Sequence, residues 1–235
     1  QTQYKNDLAL TLGLEHKHYK ITTETVLSSN NQRETAFDNS DYFSAYSNIR
    51  YDSYDNKYYP NEGLYFNGDF NFYFYSSDFN NSFSEFSIIK ADLGYAHSFS
   101  SKFSANILAE AGAKINAKNN SFLNFILGGY ANNFINNFKS FYGYDYLSIQ
   151  SNSMLKATVN LDYELFKRQH ILASANFANA KNNLFSTVDW FSLPDYSGYA
   201  LGYGIETFLG PIEAKFSYSP ESRESFWFFN LGFWF

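Results

Sequence analysis

Apolar and polar residues alternate along most of this chain with a period of two. In residues 154–166, one face carries leucine, alanine, valine and tyrosine, and the other carries lysine, threonine, asparagine, aspartate and glutamate. The same alternation recurs in residues 64–74 and 212–219. Because successive side chains of a β-strand point to opposite faces, this pattern predicts strands with one apolar and one polar face.

Ten alternating segments are spread over the chain, which predicts an all-β fold with an antiparallel sheet. They cover residues 8–14 with an extension to 27, 43–51, 64–74, 89–95, 103–115, 154–166, 171–178, 199–208, 212–219 and 226–235. Ten strands result if residues 4–27 form one strand, which is the first choice. A hairpin at residues 16–17 gives eleven strands, and a hairpin within residues 122–149 gives twelve.

Three features favour a transmembrane β-barrel over a soluble sandwich or barrel. Charged residues lie in the middle of the polar faces, as in a water-filled lumen: Lys90, Asp92, Glu110, Asp162 and Glu164. The connections between strands alternate in length, as the short periplasmic turns and long extracellular loops of outer-membrane barrels do. The short connections are residues 52–63, 98–102, 167–170 and 209–211, and the long ones are 28–40, 116–152 and 181–198. Aromatic residues recur near strand ends. We therefore predict one closed barrel over residues 1–235, since hydrocarbon tolerates no open strand edge.

Composition narrows the class of protein further. The chain has 27 Phe and 21 Tyr, yet its mean hydropathy is −0.39 and no apolar run is long enough for a membrane helix. The net charge of −6, without a basic stripe, argues against nucleic acid as a partner. The absence of cysteine excludes disulfides and cysteine-ligated metals.

Two irregular stretches contain characteristic motifs. The stretch YDSYDNKYYPNEG, residues 51–63, has spaced aspartates before Pro60 and Gly63, which suit a turn because proline presets φ and glycine tolerates positive φ. The stretch NFILGGYANNFINNFKSFYGYDYL, residues 124–147, combines a glycine pair with a later aromatic-glycine-aromatic motif. Its motif residues are Gly128, Gly129, Phe141, Tyr142, Gly143 and Tyr144.

These stretches resemble the superfamily of outer-membrane assembly and translocation barrels, which includes the BamA, TamA and TpsB proteins and the bacterial surface antigen family. The resemblance implies that residues 51–63 form a periplasmic turn, with Glu62 in place of the usual arginine. It also implies that residues 124–147 form a long extracellular loop that folds back into the lumen. Phe141 and Tyr142 stand where that family has valine and arginine.

The next stretch, NLDYELFKRQHILASANFANA at residues 160–180, is similar to the hairpin that receives this loop. Asn179 aligns with the aspartate that binds the loop arginine in that superfamily. Since both charged partners are replaced, we expect a neutral hydrogen bond between Tyr142 and Asn179. Asp162 and Glu164 are further candidate receivers, and the alternative is that Tyr142 merely caps a flexible loop.

Residues 198–235 are similar to the last three strands of the same superfamily and end in FWFFNLGFWF. Phe229, Leu231, Phe233 and Phe235 share the face that should meet lipid, and Asn230 and Gly232 lie on the other face. An aromatic carboxyl-terminal residue in such a strand resembles the signal that the barrel-assembly machinery reads. The predicted assembly signal is Asn230, Leu231, Gly232, Phe233 and Phe235.

Catalytic and metal chemistry receive little support. His16 and His18 share a strand face but have no obvious third ligand, and no Ser-His-acid set falls on one face. Asp162 and Glu164 have the spacing of an acid–base pair, but charges that fill a lumen explain them better. We predict no enzyme activity, no metal and no cofactor.

The predicted function is an outer-membrane barrel that anchors or translocates an attached passenger. Within the superfamily, the chain looks most similar to the barrels of patatin-type autotransporters. This resemblance implies that the chain is the carboxyl-terminal part of a longer protein. The chain has fewer predicted strands than the sixteen-stranded members, and these residues contain no POTRA segment. The alternative is a free-standing passive pore or ligand-binding outer-membrane protein. Expected partners are outer-membrane lipid, the barrel-assembly machinery, the passenger and a second copy of the chain.

Overall fold

The described part of the chain is formed mainly by β-strands and includes a short 3-10 turn at Leu184–Ser186. A computed structural model describes residues 2–4, 7–27, 32–79, 81, 83–117, 123–130, 137–186, 190 and 192–232. Within these ranges, no helix has the length and apolar character needed to cross a membrane.

In the described ranges, eleven strands form one antiparallel sheet, in which each strand pairs with the strands before and after it in the sheet. One of them, β1, has only three residues, whereas the other ten have seven to twenty-one. The strands are β1 (Thr2–Tyr4), β2 (Leu8–Leu27), β3 (Gln32–Asp52), β4 (Gly63–Ser76), β5 (Phe86–Ser100), β6 (Phe103–Ile115), β10 (Ser153–Phe166), β11 (Gln169–Lys181), β12 (Tyr196–Thr207), β13 (Gly210–Tyr218) and β14 (Ser225–Leu231). A second, small sheet contains β7 (Phe125–Leu127), β8 (Phe138–Lys139) and β9 (Ile149–Ser151).

The two faces of the main sheet are the reverse of those of a soluble sheet. On the inner face, Lys156 and Glu110 are only 4% and 5% exposed, whereas on the outer face Leu93 and Phe229 are 55% and 78% exposed. Burying a charge is costly unless it is paired, and exposing large apolar side chains to water is unfavourable. The arrangement therefore suits a sheet whose outer face meets lipid and whose inner face encloses polar contacts.

The connections divide between the two ends of the sheet. Residues 101–102, 167–168 and 208–209 join neighbouring strands at what we call the short-turn end. Strands β4, β6 and β11 end at Ser76, Ile115 and Lys181, at the opposite end of the sheet, which we call the loop end. This alternation in length follows the predicted one for most connections.

The predicted long loop at residues 28–40 is wrong. Strand β3 begins at Gln32, and β2 and β3 stay paired from Leu8–Tyr51 to Leu27–Gln32. Because β4 pairs with β3 only over Tyr42–Asp52, the rest of the hairpin extends beyond the sheet as a two-stranded ribbon. The difference lies in QRETAFDNS at 32–40, whose polar composition resembles a loop but whose backbone pairs with the predicted extension of β2.

The described part of residues 122–149 adds no hairpin to the main sheet. Its strands β7 and β8 have only three and two residues and pair with each other and with β9. The main sheet continues directly from β6 to β10, from Ala113–Ser153 to Phe103–Tyr163. Among the described residues, therefore, the twelve-strand alternative is not formed.

The two edges of the main sheet are not joined by any pairing within the described residues. There, β14 pairs with β13 and β1 pairs with β2. Phe233 and Phe235 of the predicted assembly signal lie outside the described part of the chain.

Candidate functional site

The connection between β6 and β10 packs against the inner face of the sheet, and we call its described residues, 123–130 and 137–152, the inner loop. Its apolar side chains are almost fully buried: Phe125, Leu127 and Phe141 are at most 1% exposed. A glycine on β6 makes room for them, since a Cβ atom at Gly112 would lie 2.4 Å from a ring carbon of Phe125. The inner loop thus forms an apolar core together with inward-facing strand residues such as Tyr73 and Met154.

The predicted glycine and aromatic motifs of the inner loop lie together. Phe141 N donates to Gly129 O at 2.8 Å, and Gly129 N donates to Tyr144 O at 3.0 Å. Gly128 N donates to the Lys139 carbonyl at 3.4 Å. These backbone bonds fold the motif back on itself, so that its tip projects towards β11–β13.

The tip docks through backbone groups. Tyr142 N donates to Asn176 Oδ1 at 3.1 Å, and Gly143 N donates to Ser217 Oγ at 3.1 Å. Gly143 has a φ of +77°, a conformation that favours glycine. A Cβ atom at Gly198 would lie 1.9 Å from the Tyr142 carbonyl oxygen, so only glycine allows this close approach.

The expected hydrogen bond between Tyr142 and Asn179 is wrong, because the tip binds Asn176 instead. Asn179 Oδ1 accepts from Asp195 N at 2.8 Å, in the connection between β11 and β12. The physical reason is the period of the strand: positions 176 and 179 differ by three residues and therefore lie on opposite faces. Asn176 is on the inner face and Asn179 is on the outer one, beside Leu155.

The other candidate receivers, Asp162 and Glu164, bind elsewhere. The Asp162 carboxylate lies 2.9 Å from His170 Nδ1, and Glu164 Oε1 accepts from Arg168 N at 3.0 Å. Both interactions are near the short-turn end, where Glu164 stabilises the β10–β11 hairpin. Their described hydrogen bonds are thus with their own hairpin and not with the inner loop.

A buried ionic cluster fixes the inner loop to the opposite wall. Lys139 Nζ lies 2.7 Å from Asp92 Oδ1 and 3.0 Å from Glu110 Oε1, and Lys156 also binds Glu110. Burial by itself lowers the pKa of Lys139, but the charges of Glu110 and Asp92 outweigh burial and raise it. Lys139 therefore stays protonated, and the cluster contains two cations and two anions. Sequence reasoning found the strand charges but missed Lys139, which belongs to no alternating segment.

A second polar cluster holds the inner loop on β13. Tyr130 OH donates to Glu213 Oε2 at 2.7 Å and accepts from Lys215 Nζ at 2.9 Å. Lys215 Nζ also lies 4.3 Å from the centroid of the Tyr130 ring, a cation–π geometry. Burial, together with the charge of nearby groups, raises the pKa of Tyr130, so its hydroxyl keeps its proton. Glu213 and Lys215 alternate in GPIEAKFSY, which predicted their face but not their partner.

The predicted turn at residues 51–63 is a tightly bonded loop at the short-turn end. Gly63 has a φ of +120°, and a Cβ atom there would lie 2.3 Å from Ser53 O. Asp55 Oδ1 accepts from Asn61 N at 2.8 Å and from Glu62 N at 3.0 Å. Burial raises the pKa of Asp55, but these hydrogen bonds outweigh it and lower the pKa. Pro60 lines a cavity of about 390 Å³ between this turn and the inner loop.

The described part of the last strand has the predicted faces. Phe229 and Leu231 are 78% and 75% exposed on the outer face. Asn230 pairs with Glu213, whose side chain lies on the inner face of the sheet, and Gly232 N donates to Pro211 O at 3.0 Å. Its outer face is thus apolar up to the last described residues.

His16 and His18 have a partner that the sequence did not reveal. Asp41 Oδ1 lies 2.8 Å from His16 Nε2 and 3.0 Å from His18 Nδ1. Even so, no group of three or more histidine, cysteine, aspartate or glutamate residues in the described ranges has an arrangement that could hold a metal ion.

Comparison with known proteins identifies the family. The family model of the OMP85 superfamily matches residues 1–235. The chain belongs to the OMP85 superfamily. Among solved structures, this OMP85 chain is similar to BamA from Haemophilus ducreyi lacking POTRA domains 1-3, with a TM-score of 0.70 and 13% identity over 97% of this chain and 52% of that chain. The chain therefore spans about half the length of that protein, and at this identity the likeness shows the fold. No curated protein matches.

The chain is accordingly a bacterial outer-membrane β-barrel of the OMP85 superfamily. The predicted resemblance to the outer-membrane assembly and translocation barrels is confirmed. Its relation to patatin-type autotransporters receives no support from the comparisons.

Proposed function

We propose that this OMP85 barrel anchors an attached passenger in the outer membrane or translocates it across that membrane. The observation that carries the proposal is the inner loop, which is bound by Asp92 and Glu110 on one wall and by Asn176 and Ser217 on the other. A barrel filled by its own chain is unsuited to passive diffusion of solutes. Membership of a superfamily of structural and transport barrels supports the same role.

In this proposal the short-turn end faces the periplasm and the loop end faces outward, as in outer-membrane barrels generally. The sheet closes in the membrane between β14 and the amino-terminal strands, with about ten strands in all. Hydrocarbon supplies no hydrogen-bond partners to an open edge, so closure is strongly favoured. Gly232 lies at this seam, and a glycine there weakens packing and pairing.

The proposed partners follow from the same geometry. Outer-membrane lipid contacts the apolar outer face, and the barrel-assembly machinery binds the last strand through Asn230, Leu231, Gly232, Phe233 and Phe235. The passenger is joined to this chain in a longer protein, of which the patatin-type arrangement is one example. A second copy of the chain is the remaining proposed partner.

The test uses the longer protein with its passenger in intact cells. Externally added protease should cleave the passenger if it is translocated, and only permeabilised cells should show cleavage if it is anchored inside. In both cases the passenger fractionates with the outer membrane. A passenger found in another fraction, while the barrel is correctly inserted, would contradict the proposal.

The second candidate is a ligand-binding outer-membrane protein, which the cavity of about 390 Å³ favours. Its lining combines aromatic rings with polar groups, as ligand sites often do: Tyr54, Tyr59, Tyr65, Tyr130, Tyr142 and Asn106. Large, steady conductance across a planar bilayer would instead indicate a passive pore.

A further inference from the structure

We infer that the turn at residues 53–62 is a second closure of the barrel, separate from the inner loop, and that Glu213 couples the two closures. The turn joins β3 to β4, yet its side chains contact strands far along the sheet. It therefore crosses the inner face at the short-turn end. The inner loop crosses the same face nearer the loop end.

On one side the turn reaches β11, β12 and β13. The Tyr59 ring stacks on His170 with centroids 4.2 Å apart and an interplanar angle of 12°. Asn56 Nδ2 donates to Glu206 Oε1 at 3.1 Å. A Cβ atom at Gly204 would lie 2.4 Å from the Tyr59 hydroxyl oxygen, so this glycine provides the space that the tyrosine occupies. Tyr59 is only 4% exposed, which shows how deeply it is inserted.

On the other side the turn reaches β5 and β6. Tyr54 OH accepts from Asn106 Nδ2 at 3.2 Å, and Ser98 Oγ donates to Asn61 O at 3.1 Å. A Cβ atom at Gly94 would lie 2.0 Å from the Tyr54 hydroxyl oxygen. An inward-facing glycine thus receives a tyrosine of the turn on each side.

The turn is internally braced, so it behaves as a folded unit. Ser53 N donates to Leu64 O at 2.9 Å, and Leu64 N donates to Ser53 Oγ at 2.9 Å, which ties its two ends together. Asn56 Oδ1 accepts from Tyr58 N at 2.9 Å. Bonds of this kind lower the conformational entropy lost when the turn enters the barrel.

One carboxylate binds both closures. Glu213 Oε1 accepts from Tyr59 OH of the turn at 3.0 Å, and Glu213 Oε2 accepts from Tyr130 OH of the inner loop at 2.7 Å. Burial and the charge of Glu213 raise the pKa of Tyr59, so its hydroxyl stays protonated and can donate. Because the carboxylate is itself buried, loss of one tyrosine changes the position and solvation of the group that holds the other.

The cavity of about 390 Å³ lies between the closures, with Tyr54 and Tyr59 from the turn and Tyr130 and Tyr142 from the inner loop in its lining. The two closures are thus separated by space and share a buried anchor. Removal of either closure should leave the other in the conduction path.

Single-channel recording in planar bilayers tests the two closures. The variants of the whole protein are a Gly/Ser replacement of residues 124–151, the pair Asn56→Ala and Tyr59→Ala, and the two combined. We expect low conductance from either change alone and a several-fold larger conductance from the combination. If the loop replacement alone conducts as much as the combination, the turn is not a closure.

Two variants keep this test interpretable. Tyr95→Ala, an exposed outer-face tyrosine, is the matched control and should leave conductance unchanged in the loop-replaced background. In the loop-replaced background, Gly204→Val displaces Tyr59 without changing the sequence of the turn and should reproduce the effect of the pair Asn56→Ala and Tyr59→Ala. Heat-modifiable mobility on gels confirms that each variant is folded. A folded, loop-replaced Gly204→Val variant that conducts no more than the loop replacement alone would also overturn the inference.

Coupling is measured by limited proteolysis of the inner loop. We expect Tyr59→Phe, which removes one hydrogen bond to Glu213, to speed cleavage of the loop in the wild-type background. In a Glu213→Gln background, Tyr59→Phe should increase the cleavage rate much less, which is how an interaction between two residues appears in a double-mutant cycle. Equal effects in both backgrounds would contradict coupling through Glu213. None of these outcomes depends on whether a passenger is attached.

Discussion

Replacement of Lys139, the lysine of the inner loop, by methionine should destabilise the barrel. Lys139 binds Asp92 and Glu110 at 2.7 and 3.0 Å, and its side chain is 9% exposed. Methionine keeps most of the length and the apolar stem but removes the charge. Glu110 then keeps its ion pair with Lys156, whereas Asp92 loses its ion pair with Lys139.

The expected loss follows from the burial of the cluster. Removing one partner of a buried ion pair costs about 3–5 kcal/mol, because the other charge stays buried without compensation. An exposed lysine such as Lys102 makes no comparable contribution, and surface substitutions usually change stability by less than about 0.5 kcal/mol. Lys102→Met is therefore the matched control.

The assay is equilibrium unfolding in denaturant of the refolded protein in lipid, followed by tryptophan fluorescence. Lys139→Met should lower the free energy of unfolding, and the added change Asp92→Asn should restore much of it by removing the uncompensated charge. A Lys139→Met variant as stable as Lys102→Met would refute the ionic anchor. Failure of Asp92→Asn to restore stability would refute the electrostatic reason.

Four further predictions concern other parts of the site. Asn176→Leu leaves the loop-tip amide without its acceptor, which costs about 1–3 kcal/mol and should speed proteolysis of the inner loop, whereas Asn179→Leu should not. Gly198→Val should also undock the tip at a cost of about 1–3 kcal/mol from overpacking, measured by the same proteolysis, and an unchanged rate would contradict the contact. The pKa of Asp55 is lower in the folded protein than its ordinary value of 3.8, so Asp55 stabilises the turn fully above pH 3.8. This stabilisation is lost as the pH falls through the folded-state pKa, and faster amide exchange at residues 61–62 would show the loss. Deleting Phe235 should reduce the folded, heat-modifiable fraction in the outer membrane, and normal assembly of the deletion would refute its role.

The strands and their two faces could be predicted from the sequence because alternation reports directly which side chains share a face. This holds for β10, where Lys156 and Asp162 lie on the inner face as predicted. The extension of β2 to residue 27 agrees with the prediction, but the beginning of β3 at residues 32–40 does not, because its polar residues resemble a loop.

The contacts of the site could be predicted only in part. The motif around Gly143 indicated the loop tip, but its receiver was placed three residues away, at Asn179 instead of Asn176. Lys139 and Tyr130 belong to no periodic segment, and their partners depend on the path of the loop in space. The contact between Tyr59 and Glu213 could not be predicted for the same reason, because the two residues are far apart in the sequence.

Hydrogen exchange of the barrel in lipid nanodiscs tests the central claim most directly, namely that the inner loop is docked inside an outer-membrane barrel. Amides at positions 141–143, which donate to Gly129, Asn176 and Ser217, should exchange as slowly as those of β10 and β11. Exchange at those amides as fast as in the connection 77–85 would contradict the account.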